Sequence, residues 1–219
     1  MLIQSFAFAA AFSAIVAGGL MPVVAAAADR PVKIVALGDS LTAGYNLPAS
    51  AAFPVKLEKA LKAKGNAVEI VNAGVSGDTA SGGLARLDWS VPEGTDAVIV
   101  ELGANDMLRG VDPAVTRRAL EEIVRRLTER RIPVLLAGMR AIPNLGIEYA
   151  QGFEPIYSEL AAKYDVLLYP FFLEGIASDT KLNQRDGVHP TAAGIDKVVA
   201  GILPIVEELV GRARERRGS

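Results

Sequence analysis

Five runs along the chain are apolar almost without interruption: Val32–Leu37, Val68–Val71, Ala97–Leu102, Pro133–Ala137 and Val166–Tyr169. Continuous runs of this kind fit parallel strands covered on both faces, where an alternating pattern would mark a strand with one wet face. Between them the apolar residues recur with helical spacing. Leu120, Ile123, Val124 and Leu127 stand at i, i+3, i+4 and i+7 behind Asp112-Pro113, an N-cap followed by proline at the first helical position. Glu121 with Arg125, and Glu122 with Arg126, offer i,i+4 ion pairs on the wet face of that helix. The same reading predicts helices near Ala52–Lys64, Thr79–Asp88, Tyr149–Lys163 and Thr191–Arg212. The alternation predicts an α/β fold: a doubly wound, parallel, five-stranded sheet with helices on both faces and right-handed crossovers. Arg212, Arg214, Arg216 and Arg217 read as cations at a helix C-terminus with a frayed end.

The first residues have a different pattern. No Lys, Arg, Asp or Glu precedes Asp29, and Phe6 to Leu20 is almost wholly apolar. That stretch leads through Pro22 into Ala25 to Ala28, an A-x-A arrangement that reads as a secretory signal over residues 1–28, cut before Asp29. A basic n-region is missing and the stretch is long enough to span a bilayer, so a retained anchor is the competing reading. Pro22 and the alanine run suit processing better. The expectation is a domain over 29–219 in the periplasm or outside the cell, with no stable membrane anchor after cleavage.

Composition narrows the chemistry. With 23 Lys+Arg against 25 Asp+Glu the formal net charge is −2, which argues against a nucleic-acid partner. Hydrophobic residues make up 51% and charged ones 22%, a balance that excludes a disordered chain. There is no cysteine and one histidine, so disulfides, thiolate nucleophiles and any site needing two imidazoles are excluded. Asp39, Asp78 and Asp106 would suit Mg²⁺ or Ca²⁺, but aspartates beside loops more often fix backbone; neither metal nor cofactor is expected.

In a doubly wound sheet, ligands bind at the carboxyl ends of the strands. Small or polar clusters follow there: Gly38-Asp39-Ser40-Leu41, Ser76-Gly77-Asp78-Thr79, Gly103-Ala104-Asn105-Asp106 and Asp186-Gly187-Val188-His189-Pro190. Neither a Walker A ending nor a G-x-G-x-x-G follows the first strand. A serine nucleophile needs a base, and the base an orienting group. His189 is the single imidazole, and Asp186 lies three residues before it. The order Ser, Asp, His is that of the α/β-hydrolases, yet their G-x-S-x-G elbow is absent because position 42 is Thr. Taken singly, Ser40 reads as an N-cap, His189 as structural, Asn105 as a turn residue and Gly77 as a left-handed turn. Their joint occurrence after successive strands points to a site.

These four blocks, in this order, resemble the SGNH/GDSL hydrolases, and the resemblance runs from Val32 to about Gly194. Gly83-Leu84-Ala85-Arg86-Leu87, Val100-Glu101-Leu102-Gly103 and Tyr169-Pro170-Phe171-Phe172 make the chain similar to the bacterial periplasmic thioesterase I/lysophospholipase and arylesterase branch. The resemblance implies a flavodoxin-like sheet, Ser40 as nucleophile, His189 as base and Asp186 as its partner. It also implies an oxyanion hole from the backbone N–H groups of Ser40 and Gly77 and the side-chain amide of Asn105. The activity implied is hydrolysis of small acyl esters or thioesters. A carbohydrate O-acetylesterase of the same family and a non-catalytic α/β binding module are the alternatives. Met107, Leu108 and the stretch from Ile142 to Ile147 could line an acyl site or simply pack, and Arg140–Gly152 is the region that could shape such a pocket.

Overall fold

The computed structural model describes residues 30–218. The signal-peptide expectation over 1–28 lies outside them. The strands are β1 (Val32–Gly38), β2 (Val68–Gly74), β3 (Ala97–Glu101), β4 (Val134–Ala137) and β5 (Leu167–Tyr169). They pair in the order β2-β1-β3-β4-β5, all parallel, which is the flavodoxin-like arrangement. The order reverses beside β1, so a crevice opens between the ends of β1 and β3. The continuous runs behave as expected in β3 and β4, where every residue is buried. At the edge, β2 alternates and leaves Glu69 exposed.

The helices are α1 (Ser40–Ala43), α2 (Phe53–Ala63), α3 (Ala80–Ala85), α4 (Leu87–Ser90), α5 (Ala104–Leu108), α6 (Pro113–Glu129), α7 (Ile147–Phe153), α8 (Pro155–Tyr164) and α9 (Ala192–Gly218). α2 packs against α9, which lies along β1, β3, β4 and β5, while α6 packs with α3, α7 and α8 on the other side of the sheet. α6 starts as its sequence predicts. The Asp112 carboxylate accepts from Ala114 N at 2.8 Å, and Leu120, Ile123, Val124 and Leu127 face the core. No helix among the described residues is long and apolar enough to cross a membrane.

Four expectations need correction. The helix expected over Thr79–Asp88 is two, broken at Arg86, whose backbone leaves helical geometry where its side chain turns into the strand-end loops. The helix expected over Tyr149–Lys163 is also two, because Pro155 lacks an N–H and starts a new helix. The two i,i+4 pairs expected in α6, Glu121 with Arg125 and Glu122 with Arg126, do not form. Arg125 binds Glu122 and Glu129 within α6, while partners on neighbouring helices take the other two residues: Arg126 reaches Asp88 of α4, and Glu121 binds Lys163 of α8.

Of the C-terminal arginines, Arg216 and Arg217 do not fray either. Arg217 reaches the fully buried Asp96, which also accepts from both terminal nitrogens of Arg30 and, at 2.8 Å, from Lys33 N. Burial alone would raise the Asp96 carboxyl, but the guanidinium bonds from Arg217 and Arg30 hold it far below the carboxylate range. This pins the start of β1 to the end of α9, at the sheet end opposite the polar clusters.

Candidate active site

Ser40 opens α1 directly after β1, and Asp39 caps that helix by accepting from Leu41 N at 2.9 Å. Gly38 is required just before it. A Cβ there would lie 2.1 Å from Thr42 Oγ1 and 2.8 Å from Glu101 Oε2. Thr42, the residue that breaks the elbow pattern, has its own function. Its hydroxyl donates to Glu101 Oε2 at 2.8 Å and so ties α1 to the end of β3.

His189 comes from the loop before α9. Its Nε2 lies 2.9 Å from Ser40 Oγ, and its Nδ1 lies 2.9 Å from Asp186 Oδ2. The other carboxylate oxygen of Asp186 accepts from Val188 N at 2.9 Å and His189 N at 3.0 Å. Those contacts, the His189 backbone N–H foremost, lower the Asp186 carboxyl to about 2. An ionised Asp186 fixes the tautomer with hydrogen on Nδ1, leaving the Nε2 lone pair toward Ser40. Gly187 takes φ 71°, which lets this three-residue turn close. Gln184 steadies the loop by donating to Tyr45 O and Pro190 O, each at 2.9 Å, and the Tyr45 ring packs on His189 at 4.5 Å between centroids.

Gly77 lies in the loop after β2 at φ 86°, and its carbonyl accepts from Arg109 Nη2 at 2.8 Å. The amides of Ser40 and Gly77 meet no protein acceptor among the described residues. Asn105, in α5, directs its Nδ2 to Asp39 Oδ2 at 3.0 Å and to Asp78 O at 2.9 Å. The three aspartates are committed to holding loops. Asp39 caps α1, Asp78 pairs with Arg86 at 2.6 Å, and Asp106 accepts from Ala80 N at 2.8 Å and Thr116 Oγ1 at 3.1 Å.

Beside the serine lies a cavity of about 380 Å³. Met107, Leu108 and Ile142 all line it, as do Met139, Phe171 and Val188. The stretch from Ile142 to Ile147 only partly behaves as expected: Ile142 and Pro143 reach the cavity, whereas Ile147 is 70% exposed and points away from the core. The residues the sequence did not single out are Tyr45, Gln184, Arg86 and Glu101. Glu101 carried a signal, as a carboxyl closing an otherwise apolar strand.

Glu101 is fully buried, and its Oε1 has no hydrogen-bond partner. Burial, and then the charge of Asp39, push its carboxyl well above the usual range, while burial raises Asp39 to about 6. Both shifts are upward, so the pair holds protons more tightly folded than unfolded. The Asp39 part of that contribution to stability is present in full below about pH 4 and is lost as pH rises through about 6, and the Glu101 part is lost as pH rises through its own raised value. Glu101→Gln keeps an acceptor for Thr42 and removes the ionisation. The melting temperature of the variant should therefore fall less between pH 5 and pH 8 than that of the wild type. At roughly 2–4 °C per kcal/mol for a chain of this size the difference is a few degrees. Equal falls in thermal melts would contradict this account of the pair.

Known proteins resemble this chain over most of its length. The GDSL-like lipase/acylhydrolase family matches residues 36–197. The chain is 36% identical over 178 residues to the esterase TesA of Pseudomonas aeruginosa, covering 81% of this chain and 89% of that protein. It is 41% identical over 167 residues to thioesterase 1/protease 1/lysophospholipase L1 of Escherichia coli K12, covering 76% and 77% respectively. The crystal structure of AlinE4, an esterase of the SGNH-hydrolase family, superposes with a TM-score of 0.70 at 47% identity, over 82% of this chain and 96% of that one. The match runs through every block of the site, and the chain belongs to the GDSL-like lipase/acylhydrolase family.

Proposed function

We propose that the chain hydrolyses carboxylic esters and thioesters through an acyl-enzyme on Ser40. The observation that carries this reading is the unbroken hydrogen-bond path Asp186–His189–Ser40, ending beside an apolar cavity. The acyl chain lies in the cavity against Met107, Leu108 and Ile142, with its carbonyl carbon next to Ser40 Oγ. His189 Nε2 takes the hydroxyl proton as Oγ attacks, and ionised Asp186 stabilises the imidazolium. Negative charge collects on the former carbonyl oxygen, which the amides of Ser40 and Gly77 receive. Asn105, which also lines the cavity, adds its side-chain amide by sharing a hydrogen in a three-centre bond while Asp39 Oδ2 and Asp78 O hold it in place. Collapse expels the alcohol or thiol, protonated by His189. Water, deprotonated by the same nitrogen, then releases the acid and restores Ser40.

An apolar cavity of this volume favours acyl groups longer than acetyl, because each methylene buried is worth about 0.8 kcal/mol. A panel of nitrophenyl esters should show kcat/KM rising from acetyl to medium chain, with acyl-CoA and lysophospholipid as further substrates. A maximum at acetyl, with preference for acetylated sugars, would replace this reading with the carbohydrate O-acetylesterase. We place the enzyme in the periplasm or outside the cell, on the pattern of residues 1–28. N-terminal sequencing of exported protein should begin at Asp29; a start at Met1 in the membrane fraction would show a retained anchor.

A further inference from the structure

Arg86 lies in the break between α3 and α4 and is 6% exposed. Its guanidinium joins the end of β1, the end of β2 with the loop that follows it, and α4. Nη2 donates to Gly38 O at 2.8 Å, at the end of β1 and two residues before Ser40. Nη1 donates to Ala73 O at 2.8 Å, near the end of β2, and to Ser90 Oγ at 3.0 Å in α4. Nε donates to Asp78 Oδ2 at 2.6 Å, next to Gly77. The same Asp78 offers its carbonyl to Asn105. Each proposed oxyanion donor is therefore joined to this one side chain through a short covalent or hydrogen-bonded path.

The loop after β2 is held from α5 by Arg109 on Gly77 O and Asn105 on Asp78 O, and Arg86 is the side chain that ties it to the end of β1. Between Val75 and Thr79 the internal backbone bond is Asp78 N to Val75 O at 3.1 Å, and Gly77 is in the left-handed region. Val75 N also donates to Gly38 O, the carbonyl that Arg86 grips. A buried ion pair is weak support for stability, since an apolar side chain of similar size commonly serves as well or better. What an apolar residue cannot do is fix the distance between the β1 and β2 loops through directed bonds. A planar guanidinium with diverging donors can.

We infer that Arg86 is a positioning residue of the hydrolysis, setting the spacing of the Ser40, Gly77 and Asn105 donors from beneath. The inference rests on the Ser40 reading above. Its effect belongs to the transition state, where the oxyanion exists, more than to substrate binding.

The test uses Arg86→Lys, Asp78→Asn, Asn105→Ala and the double variant Arg86→Lys/Asn105→Ala. Fluorophosphonate titration counts competent Ser40 in each preparation, so kcat is expressed per labelled site. Failure of wild-type protein to label at Ser40 would sink the proposed function itself, a result distinct from the outcomes for Arg86. Asn105→Ala should lose on the order of 10²–10³-fold in kcat, as removal of one such donor does elsewhere. Arg86→Lys and Asp78→Asn should each lose roughly 10–10²-fold in kcat per site, with KM nearly unchanged and matching loss of affinity for a trifluoromethyl ketone, whose hemiketal presents an oxyanion. The double variant should lose less than the product of the single losses, because both changes act on one donor set. A side chain that only supports the fold would lower the melting temperature and the labelled fraction but leave kcat per site intact. That result, or losses that multiply, overturns the inference. If Arg86→Lys yields no folded protein, Asp78→Asn decides by the same criteria, paired with Asn105→Ala.

Discussion

Ser40→Ala is expected to fold normally and to lose ester hydrolysis by on the order of 10⁴–10⁶-fold in kcat, the scale seen when a triad nucleophile is removed. The hydroxyl is the group in hydrogen-bond contact with His189 Nε2, at 2.9 Å, and the chain has no other imidazole to activate a different serine. The fold should tolerate the change. Asp39 caps α1 through Leu41 N, and Leu41 anchors it in the core, so neither contact depends on the serine hydroxyl. Steady-state assays at enzyme concentrations high enough to see the residual rate, beside a circular dichroism spectrum, check both halves. Turnover within tenfold of wild type would show that Ser40 is not the nucleophile.

The second large effect is expected from Asp186→Asn. An amide facing Nδ1 favours the wrong tautomer and cannot stabilise an imidazolium, and in a buried triad the same change costs about 10⁴-fold in kcat. The Asp186 side chain is 40% exposed, so water can take over part of its charge-stabilising work. A loss of roughly 10²–10⁴-fold in kcat is expected, with KM little changed. The carboxylate also supports the fold. Its lowered value means that its contribution is complete above about pH 4 and disappears as pH falls toward 2. The variant should therefore melt lower than wild type at pH 7, with the gap closing under acid. Wild-type kcat in the variant would leave His189 acting without an orienting partner and contradict the proposed triad.

The sheet was legible because burial on both faces writes itself as unbroken apolar runs, and five of these located five strands to within a few residues. The strand-end location of the site followed from topology. The proposed triad was suggested for a subtractive reason, one imidazole and no thiol leaving few ways to activate a serine, and the fold brings Ser40, His189 and Asp186 into contact. What escaped were features decided by tertiary competition. Arg86 sits in a helix-like stretch, and nothing local says that its guanidinium will leave the helix for Gly38 and Ala73 carbonyls. Glu121, Arg125 and Arg126 have local partners at helical spacing yet two of them bind across to α8 and α4. The C-terminal arginines look like a solvated tail until Asp96, remote in sequence, is brought beneath them by the sheet. Tyr45 and Gln184 reach His189 and its loop through contacts that only the folded loops create.

The account stands or falls on covalent chemistry at Ser40, and a stoichiometric label measures it directly. Wild-type protein treated with a fluorophosphonate should gain one adduct, mapped by peptide mass to the segment containing Ser40, with hydrolysis falling in proportion to the labelled fraction. Full hydrolysis by protein labelled at Ser40, or loss of activity that tracks an adduct on another serine, would contradict it.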